Sequence, residues 1–341
     1  VPTDSEHAER QIRLLSGQVE QTMAELVAEY TSEHGQLRAI VPTVVREARA
    51  DRHEFALPLL VHGAETGDPA AAVPIAAVHA LWWRAANIID DLADDQAGEA
   101  ARRIGPGATM LVAFNWAYVL PARVTSALPV AEPVRSALTT EFLQSCTAAT
   151  EGQLADLFTE PGELSHDQVL RTYLNKSSAP YVMASAMAAR TAGADDARTE
   201  GWRRFGRNLG LLGQFRNDQE DLQSGRMEDL ANATPTFHLV SLLNSGHGAR
   251  RERVLALLRR ARTDTHAREE LLERMLDPEV VRPYLAHIEG VRHEAEQVLD
   301  ELSLDELGGS GCFVAALRGR VRAAATPCEL LAGVANPAEA S

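Results

Sequence analysis

The sequence predicts an all-α fold in a single domain over residues 1–341, and three observations carry that expectation. Alanine, leucine, arginine and glutamate, all good helix formers, dominate the long segments. Apolar residues recur at three- and four-residue spacing through 8–30, 107–125, 131–158, 166–190, 198–222 and 279–302. Runs of β-branched and aromatic residues with a period of two, which a sheet would need, are absent.

Taken from the N-terminus, the first helix is expected over 8–30. Gly67-Asp68-Pro69 precedes 71–95, a stretch apolar over most of its circumference, which places a helix at the centre of a bundle. Gly105-Pro106-Gly107 breaks the chain before 107–125. The stretch 131–158 is again apolar on most faces and is likewise expected at the centre of the bundle; Glu160-Pro161-Gly162 ends it. Gly193-Ala194-Asp195-Asp196 separates 166–190 from 198–222, and Asn244-Ser245-Gly246 and Asp277-Pro278 punctuate the approach to 279–302. Six arginines between Arg250 and Arg262 surround Val254-Leu255-Ala256-Leu257-Leu258, the pattern of an amphipathic helix with a solvated basic face. Gly308-Gly309-Ser310-Gly311 lacks the Gly-Lys-Ser/Thr ending of a phosphate loop and reads as a connection. No fixed-period repeat and no low-complexity linker divides the chain.

Composition narrows the function. Hydrophobic residues make up 45% and charged residues 24%, the balance of a globular chain and not of a disordered one. A net charge of −15 argues against a nucleic-acid partner. No apolar run reaches the ~18 residues of a membrane span, so no stable membrane insertion is expected. Val1 to Arg10 is too acidic and polar for a signal peptide. Cys146, Cys312 and Cys328 are scattered without CxxC spacing, which fits a reducing cytoplasm and neither a zinc site nor a disulfide framework. Of the 33 basic residues only Lys176 is a lysine. Arginine elsewhere is the mark of GC-rich codon drift. A lysine kept against that drift is either a chance survivor or a residue whose compact charge arginine cannot replace.

Two acidic clusters carry the chemistry. Trp82-Trp83-Arg84-Ala85-Ala86-Asn87-Ile88-Ile89 leads into Asp90-Asp91-Leu92-Ala93-Asp94-Asp95. Asp90 and Asp94 are four apart and share a helix face, where like charges cost stability. A solvated helix end could absorb them, but the apolar lead-in implies a buried helix aiming its acidic end at a cleft. The second cluster, Gln214-Phe215-Arg216-Asn217-Asp218-Gln219-Glu220-Asp221, closes the apolar run Leu209 to Leu212. Asn217, Asp218 and Asp221 fall on one face. Mg²⁺ held by a few carboxylates plus phosphate oxygens needs oxygen-rich helix ends of this kind.

These residues resemble a family, the trans-isoprenyl diphosphate synthases and the class I terpene synthases that share their isoprenoid synthase fold. Asp90-Asp91-Leu92-Ala93-Asp94 is similar to the first aspartate-rich motif, DDxxD, and Asn217-Asp218-Gln219-Glu220-Asp221 to the second. Glu151-Gly152-Gln153-Leu154-Ala155-Asp156 resembles the Gly-Gln-x-x-Asp segment, and Lys176-Ser177-Ser178-Ala179 the Lys-Thr motif whose lysine contacts the allylic diphosphate. The resemblance runs through about 50–245. It implies one bundle around a central apolar cavity and assembly as a homodimer. It implies Mg²⁺, three ions with bound diphosphate, held by Asp90, Asp91, Asp94, Asn217, Asp218 and Asp221. Lys176 would contact the prenyl diphosphate with Gln153, Gln214 and, more weakly, Arg216. Trp82, Trp83, Ala85, Ala86 and Phe215 would line the chain pocket, with Phe114 and Trp116 as further wall candidates; core packing is the plainer role for each aromatic. Metal ions act in such sites as Lewis acids on the leaving diphosphate, and a dry apolar wall protects the carbocation.

The chain also departs from the elongating members. Their Gly-Lys-Arg-x-Arg-Pro segment, which holds isopentenyl diphosphate, corresponds to His53-Glu54-Phe55-Ala56-Leu57-Pro58. Codon drift would leave arginine there, not Glu, Phe and Leu. Arg102-Arg103-Ile104-Gly105-Pro106 stands as a shifted remnant of a later basic segment. The preferred reading is therefore a terpene cyclase derived from the prenyl synthase branch. Against it, Asp221 and Gly225 stand where terpene synthases carry Ser and Glu, so a prenyltransferase using isopentenyl diphosphate or another acceptor stays open. A non-catalytic partner subunit is disfavoured because the aspartates are kept. A di-iron carboxylate protein needs two Glu-x-x-His pairs, and the chain has only Glu163-Leu164-Ser165-His166. Members of the family that stop at fifteen carbons often carry aromatic residues four or five positions before the first aspartate. With alanines at 86 and 85 and tryptophans a ~5.4 Å turn deeper, the resemblance implies a pocket suited to twenty carbons.

Overall fold

The computed structural model describes residues 4–47, 55–93, 98–159, 165–303 and 310–335. The described residues form eighteen α-helices and no strand, so the chain is all-α. In chain order the first eight are α1 (Asp4–Thr31), α2 (Gly35–Glu47), α3 (Ala56–Thr66), α4 (Val73–Ala93), α5 (Glu99–Ile104), α6 (Pro106–Phe114), α7 (Leu120–Ala127) and α8 (Glu132–Phe158). Then come α9 (His166–Tyr173), α10 (Ala179–Thr191), α11 (Asp196–Ser224), α12 (Glu228–Asn232) and α13 (Phe237–Ser245). The last five are α14 (Ala249–Ala261), α15 (Thr265–Met275), α16 (Pro278–Ser303), α17 (Gly311–Ala325) and α18 (Glu329–Ala335). Two π-helical turns, Asn115–Val119 and Leu174–Ser178, lie between helices. Two compact units emerge, one of residues 1–146, 180–206 and 298–319, the other of 147–179, 207–297 and 320–341.

In the first unit α4 is the central helix, packed by α1, α3, α6 and α7. Its Ile75, Ala76, Ala77, Val78, Ala80 and Leu81 are buried, and the alanines let neighbouring backbones approach closely. Arg84, buried on the same helix, donates both guanidinium nitrogens to Glu20 of α1. This helix corrects one expectation. The helical stretch Ala70–Ala93 is 24 residues and long and apolar enough to cross a membrane by length and composition, but most of it is buried inside the protein. The stretch 131–158 departs in the opposite sense. Leu138, Phe142 and Cys146 of α8 are buried, whereas Leu143, Leu154, Leu157 and Phe158 are exposed. Threonines and glutamines interleave with its leucines, so apolar content without a sustained stripe did not bring burial.

The second unit is built on two apolar clusters. One joins Leu239, Leu242 and Leu243 of α13 to Val254, Leu257 and Leu258 of α14 and to Leu271 and Met275 of α15. The basic face of α14 is solvated, as its pattern predicts. The other is aromatic. Phe215 of α11 meets Tyr173, Phe237, Tyr284 and His287 edge-on, with ring centroids 5.5–6.0 Å apart.

Candidate active site

The end of α4 carries the first acidic motif. Its buried face runs through Trp82, Ala85 and Ile88, while Trp83, Ala86 and Asp90 form a partly exposed stripe at helical spacing. Trp83 and Ala86 thus share the partly exposed face of Asp90, whereas Trp82 and Ala85 pack inward. The Trp82 indole lies against the buried Cys146 thiol, which burial pushes up to about 12. Trp83 stacks edge-on with Tyr181 of α10 at 5.5 Å and lies 5.9 Å from His79. Asp91 is exposed; Asp94 and Asp95 lie outside the described residues. Of the other wall candidates, Trp116 is buried and Phe114 is 54% exposed.

The second acidic motif is built from α8, the π-helical turn, α11 and α12. Lys176 sits in that turn, and its Nζ donates to Asp156 Oδ2 at 2.6 Å. A π-helical turn inserts one extra residue into the helical ladder, which re-aims the side chains it carries. The turn is held from both sides by glycines. A Cβ on Gly152 of α8 would lie 2.2 Å from Lys176 N, and one on Gly210 of α11 would lie 2.5 Å from Ser178 Cα. The adjacent Gln153 is partly buried on α8, one turn before Asp156.

A hydrogen-bonded chain joins the lysine turn to the acidic motif. Ser177 donates to Gln214 Oε1, and Gln214 Nε2 donates to Asp218 Oδ1 at 2.7 Å. Tyr173, the last residue of α9, donates its hydroxyl proton to Asp218 Oδ2 and accepts from Phe237 N at 2.9 Å. Asp221 accepts the first amides of α12, from Glu228 at 3.0 Å and Asp229 at 3.2 Å. It thereby caps a helix whose flanking residues, Met227 and Ala233, both adopt left-handed conformations that strain a side-chain-bearing residue. Burial raises Asp218 to about 7, its hydrogen bonds from Tyr173 and Gln214 oppose the rise, and Asp156 and Asp221 add to it. Burial, then Asp218, Asp221 and Asp156, raise Asp229 to about 8, with Lys176 opposing. Burial and the facing Asp218 hold the Tyr173 phenol well above its ordinary value, so its hydroxyl keeps its proton.

Asp229 and Tyr173 are absent from the motifs read in the sequence. Asn217 is exposed beside Asp218 on α11. Two expected substrate contacts fall elsewhere. Arg216 lies about 200° around α11 from Gln214, pairs with Glu220 at 2.6 Å and donates to Ala323 O at 2.7 Å. Phe215 is fully buried in the aromatic cluster and packs there instead of facing a pocket.

Four mutually repelling aspartates with one lysine make a site short of positive charge, and the oxygen donors suit a hard divalent cation. Among the described residues no three acidic, histidine or cysteine side chains converge into a ready-made metal cage. Mg²⁺ does not require one, because it takes one or two carboxylates, several waters and phosphate oxygens. The donor set thus fits a metal that arrives with a phosphorylated ligand.

The fold has counterparts among known proteins. The sequence profile of the polyprenyl synthetase family matches residues 22–275, and the chain belongs to that family. Its fold is the all-α isoprenoid synthase fold of the prenyl synthetases. Similar solved structures include a decaprenyl diphosphate synthase from Rhodobacter capsulatus, with 17% identity, TM-score 0.75, and coverage of 93% of this chain and 99% of that one. A polyprenyl synthase from Caulobacter crescentus CB15, complexed with calcium and isoprenyl diphosphate, matches with 16% identity, TM-score 0.75 and coverage of 94% and 98%. A polyprenyl synthetase from Streptomyces coelicolor A3(2) has 21% identity, TM-score 0.63 and coverage of 79% and 82%. No curated protein matches the sequence.

Proposed function

We propose that the protein is a Mg²⁺-dependent class I terpene synthase that ionises geranylgeranyl or farnesyl diphosphate, releases diphosphate and cyclises the cation. One observation favours cyclisation over elongation. Phe55 and Leu57, at the positions where elongating relatives carry arginines for isopentenyl diphosphate, are 1% and 5% exposed and pack in an apolar core. His53 and Glu54 lie outside the described residues. A second diphosphate has no cation to meet at these buried positions.

Bound Mg²⁺ would supply Lewis-acid polarisation of the diphosphate oxygens. Asp90, Asp91 and Asp94 would hold it at the first motif. Asn217, Asp218 and Asp221 would hold it at the second, with Asp229 added to the set on account of its burial beside them. Lys176 contributes a compact positive charge to the diphosphate, with Asp156 fixing the ammonium until it binds and Gln153 and Gln214 as neighbouring polar groups. Trp83 and Tyr181 offer aromatic faces to a cation, and Ala86 leaves room for chain between Trp83 and Asp90. The reading places the protein in the cytoplasm as a homodimer. Met110, Leu111 and Phe114 share one face of α6, with Leu111 73% exposed, and that face suits a second copy.

The test is metal-dependent release of diphosphate by the purified chain alone. Asp91→Ala should abolish it, and retained turnover would remove the metal model. A prenyltransferase remains the second reading, favoured by the family match and by Arg102 and Arg103, which lie exposed on α5.

A further inference from the structure

We propose that Tyr173 is a positioning residue of the second acidic motif: its hydroxyl fixes the Asp218 carboxylate and the Phe237 amide together, and so sets how tightly a divalent cation with diphosphate is held there. This rests on reading that motif as a metal site and adds to it a residue that neither aspartate motif contains.

The geometry leaves the hydroxyl one orientation. A phenol has a single proton to donate. The amide of Phe237 approaches its oxygen at 2.9 Å as a donor, so the phenolic proton is directed to Asp218 Oδ2. Tyr173 is only 7% exposed, and its ring packs edge-on against Phe215 at 5.8 Å. The other carboxylate oxygen accepts from Gln214 Nε2 at 2.7 Å. Two donors on two oxygens fix the plane of the carboxylate, while each oxygen keeps acceptor capacity for a cation.

Packing alone would not select a tyrosine here. The neighbouring rings Phe215 and Phe237 show that phenylalanine fills this cluster. A hydroxyl buried among them costs free energy unless it is hydrogen-bonded, and here it donates to Asp218 of the acidic site and accepts from the amide of Phe237. Tyr284 supplies the contrast. It lies in the same cluster, but its hydroxyl pairs with Phe215 O, at 3.4 Å, and with the Gln219 side chain, not with an aspartate.

The two bonds of Tyr173 also complete a bracket. Asp221 takes the amides of Glu228 and Asp229 at the start of the segment 228–237, and Tyr173 takes the amide of Phe237 at its end. Both aspartates of the motif are thus joined to one stretch of backbone that carries Asp229. Removing the phenolic oxygen releases Asp218 and the far end of that stretch together.

The experiment titrates the full-length protein with Mn²⁺ in the presence of inorganic diphosphate, with free Mn²⁺ read by electron paramagnetic resonance. Tyr173→Phe, Tyr284→Phe and Asp218→Asn are compared with the unaltered chain, and circular dichroism and thermal midpoints monitor folding. Tyr173→Phe should weaken Mn²⁺ binding roughly 10- to 100-fold, with the midpoint nearly kept and Tyr284→Phe without effect. The Mg²⁺ needed for half-maximal diphosphate release should rise by a similar factor, with kcat at saturating metal retained. An unchanged isotherm for Tyr173→Phe beside a weakened one for Asp218→Asn overturns the proposal and leaves the metal site standing. No binding by the unaltered chain overturns both. Should Tyr173→Phe not fold, 3-fluorotyrosine at position 173 gives a second readout. Its ¹⁹F resonance should shift when Mg²⁺ and diphosphate are added together, and an unmoved resonance overturns the proposal.

Discussion

Gly152→Ala tests how the lysine is held. The three atoms nearest the added Cβ would all be main chain: Lys176 N at 2.2 Å, and Asn175 C and Lys176 Cα at 2.7 Å. Ordinary contact begins near 3.4 Å, so the turn would have to retreat by about 1.2 Å. A backbone cannot rotate away as a side chain can. The same retreat would stretch the 2.6 Å bond from Lys176 to Asp156 to beyond hydrogen-bonding distance. Overpacking of this kind costs about 1–3 kcal/mol, and the better helix propensity of alanine returns up to about 1 kcal/mol. Folding should therefore survive, while a displacement of about 1 Å in a ligand-binding group lowers kcat/KM by about 10²-fold. Steady-state diphosphate release and thermal denaturation measure the two effects separately. Gly201→Ala is the control, since the three atoms nearest its Cβ all belong to the Leu302 side chain, the first at 2.9 Å, and that side chain can move. Unchanged kcat/KM in Gly152→Ala would refute the close approach and the role drawn from it.

Lys176→Arg keeps the charge but needs room for a planar fork beside Asp156, so kcat/KM should fall at least tenfold, by about 1.4 kcal/mol of lost transition-state binding. Trp83→Ala should admit a longer prenyl diphosphate, seen as a shift in relative kcat/KM between chain lengths. Trp82→Ala should instead cost about 3–5 kcal/mol of stability in denaturant titration, because Trp82 is buried against its own unit. The pH dependence has a definite sign. Asp218 and Asp229 are raised in the folded protein, so between about pH 4 and 8 the native state holds more protons than the unfolded chain. In chelator, calorimetry should show these groups lowering stability as pH rises through that window, and Asp229→Asn should flatten the fall. A metal-free protein that gains stability over the same window, with Asp229→Asn indistinguishable, would contradict the buried carboxylate cluster.

The helices were legible where periodicity was strong. The stretches 8–30, 198–222 and 279–302 correspond closely to α1, α11 and α16, because a repeated apolar stripe and turn residues at each end both report local structure. Burial was less legible. The helix α8 is rich in Leu and Ala yet exposes Leu143 and Phe158, since no stripe gathers its apolar residues on one side. The acidic helix ends were visible as motifs, but the partners of their side chains were not. Tyr173 is 45 residues from Asp218, and nothing local marks an isolated tyrosine as a hydrogen-bond donor to it. Asp229 offered a faint signal, an acid in the short segment after Gly225, too common a pattern to single out. Lys176 was conspicuous as the only lysine; its π-helical turn and the glycines against it follow from packing between helices distant in sequence. Arg216, two residues from Asp218, points to another side of α11, since nearness along the chain does not mean a shared helix face, while Phe215, three residues from it, is taken up by the aromatic cluster.

The central claim is that the allylic diphosphate is consumed without a second prenyl unit. Purified protein incubated with geranylgeranyl or farnesyl diphosphate and Mg²⁺, with and without isopentenyl diphosphate, tests it directly when the organic extract and the diphosphate fraction are both analysed. The account predicts a hydrocarbon or alcohol in the extract at the same rate in both incubations. A longer prenyl diphosphate that forms only when isopentenyl diphosphate is present, with nothing in the extract, would contradict it.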